Sequence, residues 1–387
     1  MRLRGIVLGM LVGIAFYLAL WPVPVDPVAW NAPAGAGFTG PFARNERLRG
    51  LELLPLGGDH GPETVVVDRK GQVYTGTKEG RIFRDGRAWV STRGRPLGMA
   101  FDHDGHLLVA DALRGLLEVT PEGRVTPLVR DVAYANSVAV SPAGDVYFTD
   151  SSAKFIPRVW NGSYEASLLD ILEHGGHGRV LVYDPLTKEI RTLIAGLNFP
   201  NGVAVSPDGA FVLIAETGSY RVLRHWLEGP KRGRTEPLIE NLPGFPDNLT
   251  AGLDGRFWIG LVSPRNRLLD RLSRWPRLRK AVQRLPKLIR PKAVAYGHIV
   301  AIDGNGRVLA SLQDPDGRYR LATGAAETEE FLYVSSLEMP AIGRMRAPVL
   351  SRVKRVPIEF RDRWRELVRT AWTAASADPC EWRRRSA

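Results

Sequence analysis

Glu63, Leu97, Asn136, Asn201 and Asp247 each stand eight positions before a turn glycine, respectively Gly71, Gly105, Gly144, Gly209 and Gly255. Four of these five carry a side-chain oxygen, and Asn248 directly follows the last of them. Carboxylates and amide carbonyls gathered at one point suit a hard cation that takes about six to eight oxygen ligands, which means Ca²⁺ rather than Zn²⁺ or Cu²⁺. Any one of these residues alone also reads as structural, because Asn and Asp satisfy local backbone groups where strands begin. Turn chemistry does not require the same offset in unit after unit, so the shared register favours the metal.

Such a ring needs elements that repeat around an axis. From about residue 60 onward, short runs rich in Val, Ile, Phe and Tyr alternate with Asp-Gly or Pro-x-Gly turns, the pattern of successive β-hairpins. Val138-Ala139-Val140 before Gly144 and Val146-Tyr147-Phe148 after it is one copy; Val203-Ala204-Val205, Gly209 and Phe211-Val212-Leu213 is the next. Five copies align on their turn glycines, and a degenerate sixth lies in residues 322–336, with Phe331-Leu332-Tyr333-Val334 as its second strand. Unequal all-strand repeats of this length predict a six-bladed β-propeller over residues 50–350. The position eight before each glycine then begins the innermost strand of a blade, close to the central channel. Long helical periodicity is absent before residue 265.

Several stretches carry a resemblance to a known family: Glu173 to Pro185 (EHGGHGRVLVYDP), Phe199 to Gly209 (FPNGVAVSPDG), Leu213 to Thr217 (LIAET), Leu242 to Leu249 (LPGFPDNL) and Asp314 to Gly317 (DPDG). Over roughly residues 50–347 the chain resembles the strictosidine synthase-like proteins, with gluconolactonase-type and paraoxonase-type propellers as more distant relatives. The resemblance implies a catalytic Ca²⁺ whose ligands map onto Glu63, Asn136, Asn201 and Asp247, with Asn248 as a further ligand. It also implies that Asp247 serves as general base or nucleophile. True strictosidine synthase uses a glutamate shortly before its final-blade strand, where this chain has Thr323, with Glu327 four residues on. That departure disfavours a condensation lyase.

The expected activity is therefore hydrolysis of a lactone or of an aryl or other carboxylic ester. A bound Ca²⁺ would polarise the carbonyl, and Asp247 or a water it activates would supply the nucleophile. A G-x-S-x-G elbow with a plausible acid and histidine is absent. His298, just before Ile299-Val300-Ala301-Ile302, is a candidate proton shuttle or a hydrogen-bonded blade histidine. His174 and His177 have H-x-x-H spacing but no third nitrogen or sulfur ligand nearby for zinc. The rival expectation is a non-catalytic propeller that Ca²⁺ only stiffens, binding a partner on its outer face.

Arg2 and Arg4 precede an uncharged run from Gly5 to Trp21, expected to be a single transmembrane signal anchor over residues 1–21 with an extracytoplasmic propeller. Residues 22–49, with Pro22, Pro24, Pro27 and Pro33, read as a non-helical spacer. The chain of 387 residues carries a net charge of +12 and a single cysteine, Cys380, which rules out an intrachain disulfide. Eleven Lys or Arg and one acid, Asp270, lie between Arg265 and Lys292, interleaved with Leu268, Trp275, Val282 and Leu288. Pro276 and Pro286 divide this insertion, residues 265–292, into short amphipathic helices suited to an anionic lipid surface or to a cap over the channel. No recognition motif accompanies the charge, which argues against nucleic acid. Residues 351–387 form a basic tail outside the repeat.

Overall fold

The computed structural model describes residues 2–350; the basic tail 351–387 lies outside the described residues. Alternating apolar positions and tight turns build six four-stranded antiparallel sheets. Their innermost strands are Val65–Val67, Pro96–Phe101, Ala135–Val140, Pro200–Val205, Gly244–Ala251 and Ala322–Glu327. The expected all-β six-bladed propeller is the observed fold. The five turn glycines that marked the repeat all adopt positive φ, from 76° to 98°, a region open to glycine at little steric cost.

The core lies between the blades. Leu108 and Ala110 of the second blade pack with Val138, Val146, Phe148 and Leu181 of the third, and corresponding clusters fill the other five interfaces. A fully buried side chain such as Phe148 contributes about 1.5–3 kcal/mol. The ring closes with an early segment. The strand Glu52–Pro55 is the outermost strand of the last blade, pairing antiparallel with Ala341–Arg346. Arg344 and Glu52 are register partners and ion-paired at 2.7 Å.

Two insertions roof one end of the channel. In an antiparallel blade, the connection from second to third strand emerges at the end where the first strand starts. Helix α2 (Ser163–Glu173) occupies that connection in the third blade, and helices α3 (Arg267–Arg271) and α4 (Pro276–Arg284) occupy it in the fifth. α2 corrects the expectation that helix begins only at residue 265. It buries Ala166, Leu169 and Leu172 and ends on His174 in the left-handed conformation, a usual helix stop. α4 begins with Pro276 at its first position, where the missing N–H costs nothing.

Residues 22–49 dock as a strap. Val28 donates its N–H to the Glu173 carbonyl, Trp30 stacks on His174 at 4.0 Å between ring centroids, and Phe38 stacks on Tyr296. Glu173 fixes this corner, accepting from the Asp26 N–H and from Lys154 Nζ, each at 2.7 Å. Val25, Phe155, Leu169, Leu97 and Phe199 make a seventh cluster, sealing strap and α2 onto the blades.

The expected membrane-spanning anchor is corrected. Residues Arg2–Leu20 do form a helix, α1, of 19 residues, yet among the described residues no helix is long and apolar enough to cross a membrane. Its uncharged part, Gly5 to Leu20, is only about 24 Å long at about 1.5 Å per residue, short of a hydrocarbon core of about 30 Å. α1 is instead an exposed apolar helix latched to the roof. Arg284 donates to the carbonyls of Leu18 and Trp21 at its end, and Tyr17 donates to the Arg284 carbonyl.

Candidate metal centre

Each blade from the second to the sixth has a register irregularity where its innermost strand enters the channel. These fall at Pro96/Gly98, Ala135/Val138, Pro200/Val203, Pro246/Leu249 and Ala322/Gly324. The first residues inside them are Leu97, Asn136, Asn201, Asp247 and Thr323. A β-bulge re-aims a side chain out of the ladder, and here it turns one residue per blade toward the axis. Glycines next to them let neighbouring inner strands approach. A Cβ on Gly202 would fall inside 3.0 Å of the Leu249 amide nitrogen and the Asp247 carbonyl oxygen, so only glycine fits there.

Glu63, Asn136, Asn201 and Asp247 all line one cavity of about 700 Å³, and all are at least 95 % buried. Asn248 lies behind Asp247, donating its amide to the Glu63 carbonyl at 2.7 Å. Asn136 donates to Ser151 Oγ at 2.9 Å. Their acceptor atoms are left over: Asn136 Oδ1, Asn201 Oδ1, Asp247 Oδ1 and Asn248 Oδ1 are buried without a hydrogen-bond partner. Buried polar atoms are almost always paired, and a cluster of unpaired oxygens is what a cation site presents to its ion. The residues therefore fit Ca²⁺ by donor type and by unmet bonding capacity.

Burial holds the Asp247 carboxyl well above the ordinary carboxylate range, and the neighbouring Glu63 charge pushes it further. Glu63 is also raised by burial, against the pull of Arg95. Arg95 is the resident counter-charge: its guanidinium donates to Glu63 Oε2 at 2.7 Å and to the Gly61 carbonyl at 3.1 Å, and both side chains are buried.

Arg95 belongs to a second ring that the sequence reading missed. Arg95, Tyr134, Phe199, Phe245 and Leu321 stand two positions before Leu97, Asn136, Asn201, Asp247 and Thr323. Side chains two apart on a strand share a face, so stepping back two from the first ring would have found them. All but Arg95 line the cavity. Phe199 and Leu321 have φ of 55° and 51°, a conformation costly for bulky residues. Tyr134 donates its hydroxyl to the Ser163 carbonyl at 2.8 Å, and burial pushes its phenol well above the usual value.

The expectation that His298 acts in the cavity is corrected by position. His298 does not reach the cavity; it lies on the third strand of the fifth blade, 2 % exposed, with Nε2 against Ser311 Oγ at 2.9 Å and Phe38 and Phe42 close by. Burial lowers its pKa to about 3, so it is a structural blade histidine. Glu327 cannot replace the glutamate absent at Thr323. It is engaged at the opposite end of its strand by Trp258 Nε1, the Leu253 N–H and Arg256, while Thr323 donates to the Glu63 carbonyl. His174 and His177 are likewise committed, to Trp30 and to Glu173 respectively. Among the described residues, Asp102, His106 and Glu118 form a half-buried surface cluster, at the end of the second blade opposite Leu97.

Fold and ring together define a six-bladed propeller with an oxygen-lined pocket at one mouth of its channel. The strictosidine synthase family model matches residues 136–230 and the strictosidine synthase-like N-terminal model residues 40–84. The adipocyte plasma membrane-associated protein of Rattus norvegicus is 32% identical, over 83% of this chain and 93% of its own length. A strictosidine synthase-like protein of Arabidopsis thaliana is 32% identical, over 74% of this chain and 82% of its own. The chain belongs to the strictosidine synthase-like family that contains the adipocyte plasma membrane-associated proteins. In fold it is similar to a solved gluconolactonase of Xanthomonas campestris, with TM-score 0.55, 16% identity and coverage of 85% of this chain and 98% of that one. A solved regucalcin of Agrobacterium tumefaciens, described as a calcium-binding protein, gives TM-score 0.52 at 16% identity, covering 79% and 98%.

Proposed function

We propose that this chain is a Ca²⁺-dependent hydrolase of lactones or of aryl and other carboxylic esters, working where the oxygen ring floors the cavity. The observation that carries the reading is the set of unpartnered buried oxygens on Asn136, Asn201 and Asp247, on residues lining a cavity whose wall is largely apolar. A site sealed by protein would point to a structural ion; a donor ring open to a roomy pocket leaves a place for substrate. Glu63, Asn136, Asn201, Asp247 and Asn248 would hold the ion. When bound, Ca²⁺ supplies a Lewis acid for the substrate carbonyl and for the charge that develops on its oxygen.

The rest of the chemistry falls to the chain. Asp247, ionised, takes the proton of an attacking water at a carboxylate oxygen or attacks the carbonyl itself. Leu97, Phe199 and Phe245 exclude bulk water from the floor. Tyr134 keeps its proton on Oη and holds α2 through Ser163. Related folds described as a gluconolactonase and as a calcium-binding regucalcin agree with this chemistry. The condensation-lyase alternative has no acid–base group at Thr323.

A second reading, a propeller that the ion only stiffens, is favoured by one observation. Arg95 already neutralises Glu63 inside the ring, as a scaffold would require and a strong Lewis-acid site would not. In either case we propose that the molecule rests on a membrane surface. α1 exposes Ile6, Leu8, Phe16 and Trp21 at 60–67%, and the roof exposes Trp275 at 60% and Leu288 at 84%, among the basic residues of 265–292.

The test is ester and lactone hydrolysis by wild type and Asp247→Ala, with bound calcium quantified in both. Calcium-dependent turnover lost in the variant supports the hydrolase. Bound calcium without turnover on any substrate selects the scaffold, and no bound calcium overturns both.

A further inference from the structure

The charge inside the cavity is arranged end to end. Its floor carries the two carboxyls, Glu63 and Asp247, and its rim is formed by the roof segment after α4, where Lys287, Arg290 and Lys292 line the opening. None of these three makes an ion pair to a carboxylate among the described residues, whereas the other basic residue at the rim, Arg320, is paired with Glu338 at 3.5 Å. Elsewhere in the roof, Arg267, Arg271, Arg274 and Arg277 do not line the cavity. Arg279 and Arg284 are buried and hold backbone carbonyls of the strap, α2 and α1, and Lys280 is paired with Asp26. Glu165 and Glu338 are the further acids lining the cavity.

Between rim and floor the wall is mostly apolar, built chiefly from Leu169, Leu172, Phe199, Phe245, Val282 and Leu321. Apolar surface rewards an apolar chain at about 25 cal/mol per Å² removed from water. Unpaired cations at the rim attract an anion, and they attract it most in low salt.

We propose that the substrate is a long-bodied anionic ester or lactone, with its scissile carbonyl at one end, an apolar segment in the middle and an anionic group at the other end. The carbonyl reaches the ring, the apolar segment fills the wall, and the anion stays at Lys287, Arg290 and Lys292. This deepens the hydrolase reading and rests on it for the reaction, but the recognition of the anionic chain does not. Hydrolysis adds one water across the acyl C–O bond: the acyl carbon gains the hydroxyl oxygen, the alcohol oxygen leaves with the proton, and no other reactant is consumed.

Two measurements separate the proposal from the reading beneath it. The first uses calorimetry on the calcium-free full chain, with dodecanoate, dodecyltrimethylammonium and butyrate as probes below their micelle concentrations. Dodecanoate is expected to bind at least tenfold more tightly than either of the others, with the advantage shrinking in high salt and vanishing in Lys287→Glu/Lys292→Glu. Equal binding of the cationic and anionic probes, or no binding of either, overturns the proposal on the native protein, with no variant needed.

The second compares 4-nitrophenyl monoesters of dodecanedioic acid with the same ester capped as its methyl ester. The free acid is expected to have at least tenfold higher kcat/KM, carried by KM. Equal kcat/KM for the two overturns the proposal while the hydrolase stands. Anion-selective binding without turnover of any ester overturns the hydrolase while the anionic-chain site stands.

Discussion

Calcium should reverse the cost of the ring, and the reversal can be read by thermal melting. In chelator the folded state holds two buried carboxyls, Glu63 and Asp247, both raised by burial, with Asp247 raised further by the Glu63 charge. Groups whose folded pKa lies above the unfolded value stabilise the fold at low pH and lose that contribution as pH rises through the folded pKa. The calcium-free wild type should therefore lose stability from about pH 4 upward. Calcium that binds only the folded chain at about 100 times its Kd adds about 2.7 kcal/mol. For a propeller of about 300 residues, at about 2.1 cal/mol/K per residue, that raises Tm by about 4 °C. Asp247→Asn removes one carboxyl and leaves an amide among the free oxygens of Asn136 and Asn201. In chelator at pH 8 it should melt no lower than wild type, and calcium should not move it. The assay is differential scanning calorimetry of both proteins at pH 5 and pH 8, with 2 mM calcium or chelator. The reasoning is refuted if calcium raises both proteins equally, or if wild type melts at one temperature with and without the ion.

Three further outcomes are expected. Asp170, fully buried on α2 and held by Ser152, has its pKa raised by burial to about 7; wild-type stability should fall by on the order of 4 kcal/mol as pH rises from about 4 to about 7. Urea midpoints of Asp170→Asn should show that slope removed. Gly202→Ala must push apart the inner strands of the fourth and fifth blades, so it should cost about 1–3 kcal/mol or more and weaken calcium binding in calorimetry. Arg95→Met should destabilise the chelated protein by about 3–5 kcal/mol, the cost of stranding a buried partner, yet bind calcium at least tenfold more tightly because no cation competes for Glu63.

The blades and the ring were legible because each turn glycine fixes register. Once Gly144 and Gly209 are aligned, Asn136 and Asn201 must occupy equivalent places, whatever the loops between them do. The bulges that aim those residues leave no mark on residue type, and the second ring hides for the same reason: Arg95, Tyr134 and Phe199 share a position but no chemistry. α2 escaped notice because eleven residues between Gly162 and His174 give barely three turns of periodicity. His298 was misplaced because closeness to a strand start says nothing about which of four strands it is; the third is far from the axis. The amino-terminal run had the composition of an anchor, but its helix stops at Leu20, where Arg284, 264 residues later, meets its carbonyls.

The strand Glu52–Pro55 completes a sheet whose other members end at Arg346. During synthesis it emerges first and waits unpaired until nearly the whole propeller has left the ribosome. Five blades can form in turn, each from neighbouring hairpins, but the circle stays open. While it does, the last blade's edge and the first blade's flank are bare, a slow and aggregation-exposed interval of the kind long-range β pairing imposes. Asn248 and Thr323 both donate to the Glu63 carbonyl, so the oxygen ring is finished by the same event that shuts the circle. A nascent chain therefore has no metal site to offer, and ion capture should mark the end of folding rather than guide its beginning.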